Sequence, residues 1–254
     1  MVPISDANPT RRVPVINLAL IGVNLLVFFY ELQLRTRALN LFFQAWGVIP
    51  GDLLDAIANP LAGGALHPFL TLITSQFIHA GWGHILGNML FLFIFGDNIE
   101  DLMGSVTYLF FYLISGIVAG LTQAFVFAPF LGGIDIPSIG ASGAIAGVLG
   151  AYLVMFPGAK VRAIIAPLFF LPFSVPAFIV IGMWFLLQFV FGIGSLNPAA
   201  ASTGGVAYWA HIGGFIAGML MIIPFWVRAR MAPPSAAQRY YTPPGPYDDR
   251  NRWP

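Results

Sequence analysis

The chain has no cysteine and very little charge: Lys, Arg, Asp and Glu make up 8% of its 254 residues. Without thiols there is no disulfide framework, no thiolate nucleophile and no cysteine-ligated metal. Soluble domains carry roughly a quarter charged residues, so this chain cannot cover a water-facing surface with charge. A net charge of +1 provides no basic field for nucleic acid. Acidic side chains are scarce where chemistry would use them, since all of them lie in tails, loops or at the ends of apolar runs. What is abundant is apolar: 58% hydrophobic residues and a mean hydropathy of +0.84 describe an integral membrane protein.

The apolar runs divide into six. A polar, proline-containing tail (residues 1–12) precedes the first, over 13–32. Arg11 and Arg12 stand where a signal peptide has its basic residues. However, the run is span-length and no A-x-A site follows, so it reads as an uncleaved first helix. Glu31 and Arg35 are four apart and placed to pair where that helix ends. Residues 33–75 hold apolar clusters too short to span, which predicts a structured loop lying in the interface. The second span is expected over 77–96, closed by Asp97, Glu100 and Asp101, and the third over 106–130. The fourth begins at Ile139 and stops before Pro157. From 163 to 227 there is no formal charge. Pro167, Pro172 and Pro176 delay the fifth helix to about Val175, and a Ser/Asn/Pro/Gly-rich loop over 194–205 precedes the sixth span, 206–227. The Pro-rich end, 229–254, reads as a disordered tail. The expected architecture is thus an all-α integral membrane protein, with a six-helix domain over 13–228. Arg11, Arg12, Lys160, Arg162, Arg228, Arg230 and Arg239 fall on the terminal side, against Arg35 and Arg37 opposite. The positive-inside rule then predicts a multi-pass protein of a plasma or inner membrane with both termini cytoplasmic.

Six alternating spans make the second, fourth and sixth run the same way. His84, Asn88, Ser142 and His211 each fall in roughly the first third of theirs. Polar side chains at such depth are costly unless they face a bundle interior or a wet cavity. Gly143, Gly147 and Gly150 give span four a small-residue face, and Ala207, His211, Gly214 and Gly218 form a matching stripe on span six. Two such faces let helix backbones approach closely, which would bring His211 to Ser142. A serine hydroxyl is a weak nucleophile until a base such as imidazole takes its proton. His84 and Asn88 share a face and can donate to an oxyanion beside the Ser142 N–H. Taken singly, the serine reads as a packing residue and the histidine as a hydrogen-bonded core residue; their shared depth argues against both. Metal binding is the rival use of the histidines, and it is disfavoured because no carboxylate or thiol lies at their depth and no H-E-x-x-H is present. No metal or other cofactor is therefore expected. With no acidic residue in the outer half of these spans, a Ser–His dyad is expected, not a triad.

Three motifs carry a family resemblance: His79-x4-His84-x3-Asn88, Gly140-Ala141-Ser142-Gly143, and Ala210-His211-Ile212-Gly213-Gly214 through Gly218. In this order on six spans they resemble the rhomboid family of intramembrane serine proteases, over roughly 13–228. The resemblance implies Ser142 as nucleophile, His211 as general base, and His84 and Asn88 as oxyanion donors. Gly140, Gly143, Gly147, Gly214 and Gly218 would be structural supports. It further implies a half-embedded outer loop, a substrate helix arriving beside spans two and five, and cleavage of transmembrane segments near the outer leaflet. The expected partners are therefore transmembrane protein substrates within a lipid bilayer. Glu100-Asp101 with Gly104 resembles the family's acidic turn. Two departures stand out. The loop after span one lacks the Trp-Arg pair of many members. Ala146 also occupies the place where some have a tyrosine stacked on the catalytic histidine, leaving Tyr208 and Trp209 as candidates to hold the His211 ring. The alternative reading is a non-catalytic rhomboid-like protein that binds membrane clients. Such proteins usually lack the serine or the histidine, and this chain retains all four polar residues. A small transporter would place charge at the midplane, whereas here charges lie only at span ends.

Overall fold

The computed structural model describes residues 2–131, 134–165, 169–196 and 205–231. The first apolar run is helix α1 (Val15–Glu31). The connection after it is helical, as α2 (Thr36–Trp46), α3 (Pro50–Ala58) and α4 (Leu66–Thr74), so the structured loop is present. Next come α5 (Trp82–Met103), α6 (Ser105–Leu131), α7 (Ser142–Met155) and α8 (Ala177–Gly194). Helix α9 (Tyr208–Met221) continues as α10 (Ile223–Met231). Three of these segments, Ser105–Val126, Ala177–Gly194 and Tyr208–Met231, are long and apolar enough to cross a bilayer. Leu66–Phe77 with Trp82–Met103, bent by 82°, makes a fourth. Helices α1 and α7 are apolar but shorter. The expected disordered end from 232 onward and most of the 194–205 loop lie outside the described residues.

The bundle is built around α7. Every residue from Gly143 to Tyr152 is buried, as befits a helix apolar on all sides. Its seam with α9 has almost no side chains: a β-carbon on Gly214 would collide with the Gly143 carbonyl, and one on Gly218 with the Gly147 carbonyl. The two helices therefore meet backbone to backbone, as the paired glycine faces predict. Elsewhere polar groups tie the helices. The fully buried Asn17 of α1 donates to the Leu92 carbonyl at 3.0 Å and accepts from the Tyr108 hydroxyl at 2.7 Å, joining α1, α5 and α6. Glu100 accepts from the N–H groups of Ile16 and Asn17, two of the orphan donors at the start of α1. That gives the acidic turn a capping role, and α5 leaves it through Gly104 at φ +79°, a conformation that favours glycine.

Three expectations are corrected. Helix α5 begins after His79 and carries Asp97, Glu100 and Asp101 within it, because Glu100 is held at 3% exposure by its capping bonds. Glu31 does not pair with Arg35: it is 3% exposed and accepts from the His79 backbone N–H at 3.2 Å, a bond that Arg35 in open solvent does not displace. The third concerns segments read as tail and broken helix. Val2–Asp6 (β1), Lys160–Ile165 (β2) and Phe169–Pro176 (β3) form an antiparallel sheet in the order β1-β2-β3. The prolines Pro3, Pro172 and Pro176 all fall on its edge strands, where a missing N–H costs no ladder bond. In β2, Val161 and Ala163 are buried between the outward Lys160 and Arg162, the period-two pattern of a strand with one face covered.

Candidate active site

Helices α5, α7 and α9 bring their N-terminal ends together. His84 is the third residue of α5 and Asn88 the seventh; Ser142 is the first of α7, and His211 the fourth of α9. A 14-residue helix is about 21 Å long, short of the ~30 Å hydrocarbon core. Helix α7 is therefore too short to cross that core alone, and residues 138–141 lead into it. That segment is pinned by the Val48–Ser138 bridge and by the Gly140 N–H donating to the Ser75 carbonyl at 2.9 Å.

The Ser142 hydroxyl lies 2.7 Å from Nε2 of His211. On the other side of the ring, Nδ1 lies 2.8 Å from the Gln188 amide oxygen of α8. An oxygen facing Nδ1 requires that nitrogen to carry the proton, which leaves the Nε2 lone pair for the serine O–H. The indole of Trp184, one turn before Gln188, covers the imidazole with ring centroids 5.6 Å apart at 36°. The ring is thus held from α8. Tyr208 instead packs on Phe191, and the Trp209 indole N–H is buried without a partner, so neither expected aromatic holds it. The space at Ala146 is taken up by close helix packing, since Ala146 is fully buried in the core. Sequence reading passed over Gln188, yet the signal was present: it is the one amide in an otherwise apolar 18-residue helix. An amide in hydrocarbon needs a partner.

His84 leans over Gly140. A β-carbon there would lie 2.7 Å from its Nε2, and Gly140 adopts φ +127°, so both space and backbone demand glycine. His84 Nδ1 accepts from the Ala80 N–H at 3.4 Å, which puts the ring proton on Nε2, the nitrogen beside the serine loop. His79 stacks edge-on against His84 at 4.9 Å and buttresses it. Asn88 is 8% exposed, and its amide nitrogen is buried with no protein partner. As the first helical residue, Ser142 has a backbone N–H with no acceptor inside its own helix. The Ser142 N–H thus lies at the positive end of a helix dipole. His84, Asn88, Ser142, Trp184 and His211 line a single cavity of about 670 Å³. Among the described residues no carboxylate contacts His211.

The fold and site define a class: integral membrane helix bundles that hold a serine hydroxyl 2.7 Å from a buried imidazole. The comparisons make the family definite. The Rhomboid domain model matches residues 67–228, most of the chain. The chain is 30% identical over 207 residues to Rhomboid protein 1, mitochondrial, of Saccharomyces cerevisiae, covering 80% of this chain and 51% of that protein. It is 33% identical over 163 residues to RHOMBOID-like protein 1 of Arabidopsis thaliana, covering 64% and 36%. To Rhomboid protease GluP of Bacillus subtilis it is 43% identical over 82 residues, 32% of this chain and 15% of that one. This chain belongs to the rhomboid family, and it spans about half or less of the length of these relatives.

Proposed function

We propose that the chain is an intramembrane serine endopeptidase that cleaves transmembrane segments of other membrane proteins with a Ser142–His211 dyad. The observation that carries this reading is the 2.7 Å contact between the Ser142 hydroxyl and His211 Nε2 within a cavity that also holds the unpartnered Asn88 amide. Family membership, and the protease name of the Bacillus relative, support the same class. In the proposed reaction His211 takes the hydroxyl proton as Ser142 Oγ attacks a peptide carbonyl carbon. The carbonyl π electrons move to oxygen, where His84, Asn88 and the Ser142 N–H receive the charge. The C–N bond then breaks as His211 protonates the leaving amine. Water, activated by the same imidazole, hydrolyses the acyl-enzyme and returns Ser142. Peptide bonds in a firm helix are shielded, so the substrate unwinds locally to enter the cavity. The domain limits 13–228, cytoplasmic tails, and a plasma or inner membrane are part of this proposal.

The test is cleavage of a labelled single-span substrate in liposomes by the wild type, Ser142→Ala and His211→Ala. The expected result is cleavage by the wild type alone, with labelling of Ser142 by a fluorophosphonate. Client binding without Ser142-dependent cleavage or labelling would instead establish a non-catalytic binder.

A further inference from the structure

Helix α8 is the least embedded of the three long spans, with 22% of its residues buried against 39% and 44% for the other two. Its inward face nonetheless carries two side chains four residues apart, Trp184 and Gln188, both on the His211 ring. Apart from that indole, α8 offers no other side chain able to form a hydrogen bond. Packing alone would fill the position with another Leu or Phe, as in the rest of the helix. An amide carries a desolvation cost that is met only when it finds a partner. Its partner is the imidazole nitrogen that must hold a proton if the other nitrogen is to act as a base.

We propose that Gln188 is a positioning residue for the reaction: its amide oxygen fixes the His211 tautomer and ring angle that aim Nε2 at Ser142, in the place a carboxylate takes in a triad. The inference rests on the Ser142–His211 reading. It turns the dyad into a Ser–His–Gln array whose third member sits on a separate helix, the least covered by protein of the three long spans. An amide oxygen accepts the Nδ1 proton without adding charge, so it orients the ring at small cost in a membrane. It also supports the imidazolium less than a carboxylate would. The base is therefore ready only while α8 is seated, and displacement of α8 withdraws Gln188 and Trp184 together.

The experiment compares the wild type with Gln188→Met, which keeps the length and removes the acceptor, and Gln188→Glu, which keeps the acceptor and adds charge. Each is measured for kcat, KM and the pH dependence of kcat/KM on a labelled single-span substrate in liposomes, and for the rate of Ser142 labelling by a fluorophosphonate. Gln188→Met is expected to lose about 10- to 100-fold in kcat and labelling rate with KM nearly unchanged. That is less than the ~10⁴-fold lost when a carboxylate-held histidine takes the wrong tautomer. Gln188→Glu is expected to keep most of the activity and to move the acid limb of the profile to higher pH, because a carboxylate stabilises the imidazolium. If Gln188→Met does not fold, Gln188→Asn, which withdraws the acceptor by one methylene, is expected to show the same loss of kcat. Wild-type kcat and pH profile in Gln188→Met or Gln188→Asn would overturn the proposal. So would a Gln188→Glu profile superimposed on the wild type. Equal cleavage by wild type and Ser142→Ala would instead defeat the protease reading itself.

Discussion

Gly214→Ala tests whether the α7–α9 seam sets the reacting distance. Gly214 lies one turn below His211, and its neighbour across the seam, Gly143, follows Ser142 directly. The new methyl would overlap the Gly143 carbonyl oxygen and sit 3.0 Å from its carbon and 3.3 Å from Ala119 Cβ. None of these can step aside, since two are backbone and the third belongs to a buried helix. Carbon atoms rest comfortably at about 3.5–4.0 Å, so the helices must part by roughly 1 Å near the site. Overpacking of this kind costs about 1–3 kcal/mol. A 1 Å error in reacting geometry costs about 100-fold in rate. The expected outcome is a folded protein with a lowered melting temperature in detergent and about 100-fold less cleavage of a fluorogenic transmembrane substrate. Gly182→Ala on α8 is the matched control, because its β-carbon meets nothing within 4 Å and α8 is otherwise unperturbed. Cleavage by Gly214→Ala within about threefold of wild type would refute the claim that this seam fixes the Ser142–His211 distance.

Two further expectations concern the oxyanion donors and the sheet. Asn88→Ala should lower kcat by about 10²–10³-fold, as loss of one oxyanion donor does. Ser142 should still label with a fluorophosphonate; unchanged kcat would remove Asn88 from the proposed donors. Asp6 of β1 is held well above the ordinary carboxylate value of 3.8, at about 7, chiefly because burial disfavours the charged form. Nearby Asp97 adds to the rise, while the Tyr152 hydroxyl, donating at 2.6 Å, opposes it. Between these two values the folded chain binds a proton that the unfolded chain has released, so stability should fall as pH rises from about 4 to 7. Asp6→Asn should flatten that slope in thermal melts taken between about pH 5 and 8. A wild-type melting temperature that rises across the window would contradict the assignment.

Most of the bundle could be read from sequence because its determinants are local. Long uncharged runs mark helices, and glycines at helical spacing on two of them predict the seam where Gly143 meets Gly214. The candidate site could be read for the same reason: with alternating spans the starts of three helices point one way, and the Ser142–His211 contact lies there. What escaped depends on contacts distant in sequence. Nothing near Glu31 indicates that it will accept from His79, 48 residues away, in place of the adjacent Arg35. The sheet joins residues 2–6 to 160–165, far along the chain, and the prolines of β3 read only as delaying the fifth helix. Gln188 was hidden differently, since a single polar residue in an apolar helix has meaning only once its neighbour is identified.

The small sheet has a consequence for how the chain can be handled. Asp6 sits on its outer strand and reaches Tyr152, about 15 Å along α7 from Ser142, as well as Asn98 on α5. The opening residues thus bolt down the foot of the very rod whose tip carries the hydroxyl. Cutting away residues 2–6 would strip a strand from the ladder and take the carboxylate from the Tyr152 phenol.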